Sequence, residues 1–308
     1  MRKQVGGIQN SIVYIKKYWF LYLLALPATI HMIIFSYFPM YGVIIAFKDF
    51  SFRKGVLKSP WVGLEHFKKL ALNSDFLSVI RNTVSINILN LLIGFTFTIV
   101  LALLLNEIVF TRYKKVLQTV VYFPHFLSWV IFAGLITALL APDEGVVNKI
   151  IAATGNEPVF FMTKPQYFQF IVVFASMVKE TGFGTIIYLA AIASVNTALY
   201  ESAIIDGANR GHLIWHITIP HIQPTIAVLL ILKVAGMFSS NFEQIWTMYN
   251  PTVYETGDVI STYLYRMGLQ AGKFELGTAM GLVFGIIGLV LILLTNKIIK
   301  KMNVMGIF

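Results

Sequence analysis

Few residues in this chain could do chemistry, and many of them sit together. The stretch YESAIIDGANRGHLIWHITIP, residues 200–220, gathers Glu201, Asp206, Asn209, Arg210, His212 and His216 between two long apolar runs. His212 and His216 have the i, i+4 spacing of two metal ligands on one helix face, but no glutamate stands between them and no third ligand is near. They are read as two histidines on a surface helix. The chain has no cysteine, which removes disulfides, thiolate metal sites and a thiol nucleophile. It has no G-x-x-x-x-G-K-[ST], so the backbone cradle and lysine that hold nucleotide phosphates are missing. Gly182 and Gly184 in TGFGT give half of a dinucleotide-binding glycine pattern, and they lie inside an apolar run. No Ser–His–Asp set or catalytic carboxylate pair can be argued from the spacing. What remains is charge where charge is costly. Lys179, Glu180 and Lys233 fall inside apolar runs, where ionisable side chains mark solute or ion paths.

The elements that must position these residues follow from composition. The 308 residues are 57% hydrophobic and 12% charged, with a mean hydropathy of +0.75. Ordinary soluble domains carry about 25% charge, so this is an integral membrane protein. The net charge of +10 does not point to nucleic acid, because Lys and Arg lie at the edges of apolar runs and form no stripe interleaved with aromatics. At such edges they orient spans and meet anionic lipid headgroups. A bilayer core needs roughly 20 apolar helical residues. Six runs qualify, at about 19–47, 79–105, 116–140, 168–194, 222–239 and 278–295. The fold class is therefore all-α, with six transmembrane helices. Pro27 and Pro39 predict a kink or an interfacial continuation in the first run. That run is too long for a signal peptide and no small-residue cleavage site follows, so it is expected to be retained. Ile8, Ile12 and Ile15 beside Lys16 and Lys17 fit either an interfacial helix or the flank of span one. Basic residues close to span ends, including the tight loop TRYKK and the tail lysines 297, 300 and 301, put both termini in the cytoplasm.

In that topology residues 196–220 are cytoplasmic, between spans four and five. NTALYESAIID reads as a helix capped by Asn196, and Gly207 breaks it. ANRGHLIWHITI reads as a second short helix capped by Asn209, which Pro220 ends as the chain re-enters the membrane. Such a knuckle suits docking into a groove on another protein.

Here the residues carry a resemblance. Glu201-Ser-Ala203, Gly207, Ile217 and Ile219-Pro220, at their spacing, resemble the EAA loop of permease subunits of ABC importers. ALYESAIIDGAN is similar to the sugar-permease branch, with Ser202 where that family has Ala and Ile219 where Leu is usual. YFPMYGVIIAFKDF, WVGLEHF, RNTVSINIL, KETGFGTIIYLAAIASV and YETGDVISTYLYRMGL extend the likeness to oligosaccharide and polysaccharide permeases over almost the whole chain. The resemblance implies a type I ABC importer permease fold and a coupling role for Glu201, Ala203, Asp206, Gly207, Arg210 and Trp215. Glu201 would face basic or polar groups of an ATPase, Gly207 would allow the tight turn, and Arg210 and Trp215 would fill contact pockets. It also implies partners: a homologous second permease subunit, two ATPase subunits that bind the ATP and Mg, an extracellular solute-binding protein, an oligosaccharide and membrane lipid. No cofactor is expected in this chain, which would be a transport-channel subunit and not an enzyme. Residues 1–78 would hold the interfacial segment, first span and outer loop, 79–297 the type-1 core, and 298–308 a cytoplasmic tail.

Planar polar groups pair with sugar hydroxyls, and aromatic faces cover a sugar's apolar side. Lys179, Glu180 and Phe183 in span four, with Lys233, Ser240 and Asn241 in and after span five, are the candidates to line a solute path. In the alternative, Lys179 or Lys233 pairs with Glu180 for structure or snorkels outward. His125, within YFPHFLSW, is read as part of a packed aromatic interface. A stand-alone ion-coupled secondary transporter using Lys179, Glu180 and Lys233 is the competing function, though it predicts a repeat symmetry that the sequence does not show.

Overall fold

Backbone that crosses hydrocarbon must satisfy its own hydrogen bonds, and the apolar runs do so as helices. The computed structural model of the chain describes residues 14, 16–238 and 241–301. Among them the only extended pairing is an isolated bridge between Lys48 and Trp61. The spans are α1 (Trp19–Phe47), α2 (Ser74–Asn106), the pair α3 (Thr111–Phe126) and α4 (Trp129–Leu139), α5 (Pro165–Ala193), α7 (Arg210–Ala235) and α10 (Phe274–Lys301). Between them lie α6 (Thr197–Ile205), α8 (Phe242–Met248) and α9 (Ile260–Leu264). The segment around Ile8 and Ile12 lies outside the described residues, as do residues 302–308.

Several boundaries differ from the expectation, each for a local reason. α2 begins at Ser74 because the Asn73 side chain accepts a hydrogen bond from the Phe76 amide at 3.1 Å. The third span is not one rod: α3 and α4 meet at an angle of 105°. Pro124 removes a donor and, with His125, ends α3 in a 3₁₀ turn, while Ser128 caps α4 by accepting from the Ile131 amide at 3.3 Å. Pro220 does not end the helix after the knuckle. α7 runs through it, because the π-turn Ile214–Thr218 just before it widens the coil where the proline ring would meet the preceding carbonyls. In α1 the winding changes from α to π at Ile33–Tyr37 and then to 3₁₀ from Phe38.

Lipid tails are as apolar as leucine, so helices in a membrane associate through close packing and interhelical hydrogen bonds. Both are visible. A Cβ at Gly182 on α5 would lie 2.0 Å from the Val121 carbonyl oxygen on α3, and one at Gly257 would lie 2.4 Å from the Phe168 ring. The glycines of TGFGT thus serve, at position 182, a helix crossing. α5 is central: Phe168, Val172, Val173 and Ala175 pack with Ile86 of α2, Phe132, Ala133 and Ile136 of α4 and Ile245 of α8. The second half of α1 packs beside α10, while its first half buries no residue.

The connection from α7 to α10 is irregular, and polar side chains of α2 and α5 hold it. Asn82 donates to the carbonyls of Glu255 at 2.9 Å and Asp258 at 3.2 Å, and the Ile260 amide donates to Thr83 Oγ1 at 2.9 Å. Gln169 donates to the Thr256 carbonyl at 2.9 Å, and buried Gln244 donates to the Val172 carbonyl at 2.6 Å. Buried non-helical backbone is tolerated only with partners of this kind.

Candidate functional site

The knuckle closes through its caps. The Asn196 side chain accepts from the Ala198 amide at 3.0 Å and starts α6. The helix ends at Gly207, whose φ of +81° is the left-handed conformation that only glycine adopts freely. The Ala208 amide returns to the Ala203 carbonyl at 2.9 Å and the Gly207 amide to that of Ile204 at 3.0 Å, which satisfies two carbonyls of the last turn of α6. Asn209 then caps α7 by accepting from the His212 amide at 3.0 Å. Tyr200 Oη and Thr218 Oγ1, 2.9 Å apart, tie the two helices together. The result is a turn fixed at both ends. Between its two helices lies a concavity of about 400 Å³ lined by Ala203, Asp206, Gly207 and His212. Glu201, Asp206, Arg210 and Trp215 are exposed, Ala203 is half-buried, and the Trp215 indole is 69% exposed.

Arg210 lies 3.8 Å from Glu107, in the turn between α2 and α3. Two loops that the topology puts on one side of the membrane are therefore in contact. The rings of His212 and His216 stack at 5.7 Å, and no group of three or more metal-binding side chains occurs among the described residues.

Within the spans, a cavity of about 340 Å³ opens between α2, α5 and α7. Asn90, Thr98, Ser176, Glu180, Thr181 and Lys233 give it polar walls. Of the residues predicted for a solute path, Glu180 and Lys233 are brought together there. Lys179 is not. It is 4% exposed, donates to the His125 carbonyl at 2.8 Å and lies 5.3 Å from the Trp129 ring centre. Phe183 stacks on the His125 ring with centroids 4.0 Å apart and planes 4° from parallel. Asn241, the one non-glycine with positive φ among the described residues, donates to Asn87 Oδ1 at 3.3 Å. Ser240 lies outside the described residues.

Sequence reasoning passed over His125, whose Nδ1 is 2.9 Å from Glu180 Oε2. The reading of YFPHFLSW as packed aromatics holds for Trp129, which meets Phe132 edge-on, whereas Phe126 touches His125 and Phe183 by its edge and is otherwise exposed, and the reading leaves out this polar contact. It also passed over Asn90 and Ser176, which are ordinary residues in apolar runs until the packing places them on one cavity.

Outside the spans, burial pushes the Asp258 carboxyl above the ordinary aspartate range, opposed by the Thr262 hydroxyl and the Arg266 guanidinium that pairs with it.

A mainly apolar cavity among membrane-crossing helices that holds Glu180 and Lys233, together with a capped knuckle between two spans, defines a membrane-embedded transport subunit. The family model described as binding-protein-dependent transport system inner membrane component matches residues 94–304, and the chain belongs to that family of ABC importer permeases. It is 42% identical to Protein LplB of Bacillus subtilis (strain 168) over 96% of this chain and 92% of that one. It is also 42% identical to the polygalacturonan/rhamnogalacturonan transport system permease protein YteP of the same organism, over 94% and 90%. A chain of a bacterial ABC transporter that imports the acidic polysaccharide alginate superposes with a TM-score of 0.88 at 43% identity, covering 95% of this chain and 99% of that one. This membership favours the driven importer over a stand-alone secondary transporter.

Proposed function

We propose that the chain is one permease half of an ATP-driven importer that carries an oligosaccharide, handed over by an extracellular solute-binding protein, across the cytoplasmic membrane. A homologous second permease and two ATPase subunits complete the assembly, ATP and Mg bind to the ATPase subunits, and both termini face the cytoplasm. Residues 196–220 form the coupling element. Glu201, Asp206, Arg210 and Trp215 meet the ATPase, and Gly207 with Ala203 sets the shape of the turn. The observation that carries this reading is the turn itself, with side-chain caps at Asn196 and Asn209, a left-handed glycine between them, and its charges and indole left facing outward. A short, internally bonded element transmits rigid-body motion where a flexible loop would absorb it.

The solute passes along the cavity of Glu180 and Lys233. The relatives named for polygalacturonan/rhamnogalacturonan and for arabinooligosaccharides, and the alginate importer, support an oligosaccharide as cargo. Charge reversal of Glu201 to Lys in the co-expressed complex tests the coupling role, with co-purification of the ATPase as readout. Loss of the ATPase is expected. Full retention, or oligosaccharide uptake by liposomes holding this chain alone, would sink the proposal.

A further inference from the structure

One histidine sits at the elbow of the third span, and three side chains of a single stretch of α5 hold it. Lys179 Nζ donates to the His125 carbonyl at 2.8 Å and to that of Pro124 at 3.5 Å. Glu180 Oε2 lies 2.9 Å from His125 Nδ1, and the Phe183 ring covers the imidazole face at 4.0 Å. Phe126 closes the edge of the same stack, with its centroid 5.8 Å from that of His125. A carboxylate only accepts, so Nδ1 carries the hydrogen and donates to Glu180. The other ring nitrogen, Nε2, has no partner among the described residues. The charged groups around the pair are Lys179 on α5, 3.7 Å from Glu180 Oε1, and Lys233 of α7, which shares the cavity wall with Glu180.

A glutamate on a helix otherwise samples many rotamers, and ordering it costs conformational entropy each time it is used. Here the rotamer is set from another span. We infer that His125 is a positioning residue for the solute path: its Nδ1–H holds the Glu180 carboxylate at the cavity wall, and the Phe183 stack and the Lys179 bond hold His125. The inference rests on the reading that Glu180 lines that path. Because His125 stands two residues before the bend, the carboxylate follows the elbow of the third span as well as α5.

The test uses the assembled importer in proteoliposomes, with alginate, galacturonan and arabinan oligosaccharides as probes. His125→Phe keeps a ring over Phe183 and deletes the donor, whereas His125→Asn puts an amide donor near the place of Nδ1. His125→Phe should raise the half-saturating oligosaccharide concentration about tenfold, equivalent to about 1.4 kcal/mol, with the maximal rate changed less than about twofold. His125→Asn should recover most of that rise. Glu180→Ala should impair uptake as well, and the double variant His125→Phe/Glu180→Ala should be no worse than Glu180→Ala, since the histidine acts through the carboxylate. A purely structural histidine would add its own defect in the double variant, which would overturn the inference. Unimpaired uptake in His125→Phe beside a defective Glu180→Ala would overturn it while leaving the path intact. Unimpaired uptake in Glu180→Ala, or no uptake of any probe by the unaltered complex, would remove both. If His125→Phe fails to assemble on gel filtration, the ¹⁵N signal of His125 decides. A protonated Nδ1 that loses its hydrogen-bond shift in Glu180→Ala supports the inference, and an unchanged signal overturns it.

Discussion

Gly182 is where packing can be tested without reference to any partner. Its replacement by Ala would place a methyl 2.0 Å from the Val121 carbonyl oxygen and 2.6 Å from the Val121 Cγ1. Carbon contacts settle at about 3.5–4.0 Å, so α3 and α5 would have to separate by roughly 1.5 Å. The carbonyl belongs to a helix backbone and cannot rotate aside, which puts the cost near the top of the overpacking range, about 3 kcal/mol. Two other glycines calibrate the measurement. A methyl at Gly184 would meet Thr98 Cγ2 at 3.0 Å, the end of a side chain that can yield, and about 1 kcal/mol or less is expected. A methyl at Gly285 meets nothing within 4 Å, and the gain in helix propensity should make Gly285→Ala neutral or up to about 1 kcal/mol stabilising. The thermal midpoints of the purified importer complex should therefore rank Gly285→Ala at or above the unaltered protein, Gly184→Ala slightly below, and Gly182→Ala lowest by several °C. A Gly182→Ala complex that melts with Gly285→Ala would refute the close crossing of α3 and α5.

At Gly207, where an added Cβ meets nothing within 4 Å, only backbone strain acts: Gly207→Val should cost about 1–2 kcal/mol and weaken ATPase co-purification, while Gly207→Asn is largely tolerated. The Arg210–Glu107 pair is exposed on the arginine side, so a double-mutant cycle on thermal midpoint should give a coupling below about 1 kcal/mol, and a value well above that would show a buried pair. Asn82→Ala strips the half-buried Glu255 carbonyl and the buried Asp258 carbonyl of their donor, and amide exchange in residues 254–260 should accelerate by at least tenfold, a loss of roughly 1–3 kcal/mol. For Asp258 the folded-state pKa lies above the unfolded one, so its stabilising contribution is complete below about 3.9 and is lost as pH rises through the raised value. Asp258→Asn should flatten the thermal midpoint against pH in that interval, and an unchanged slope would show that another group sets it.

What could be read ahead of the structure was whatever one segment decides for itself. The apolar runs announced the spans, Asn196 and Asn209 announced their caps, and Gly207 announced the break, because each depends on neighbours in sequence. The bend in the third span was written in Pro124 and Ser128, but an apolar run on both sides of the proline read as one crossing. Pro220 misled in the opposite direction, since the π-turn that accommodates it has no sequence signature. The neighbours of Lys179 were out of reach: the charge was visible in the run, but its direction is set by a carbonyl 54 positions away. Glu180 and Lys233 were legible as costly charges, whereas Asn90, Ser176 and His125 acquire meaning only when α2, α3 and α5 are laid side by side.

The right-angled third span bears on how the chain is made. At 1.5 Å per residue α3 is about 24 Å long and α4 about 17 Å, and neither reaches across a hydrocarbon layer of about 30 Å. The leading rod also carries Arg112, Lys114 and Lys115 in its first turns. Each rod leans on a helix that follows it in the sequence, α3 on α5 and α4 on α8, so neither holds its depth in a bilayer by itself. A chain growing from its N-terminus should therefore place this region late, once the helices that support it have been made.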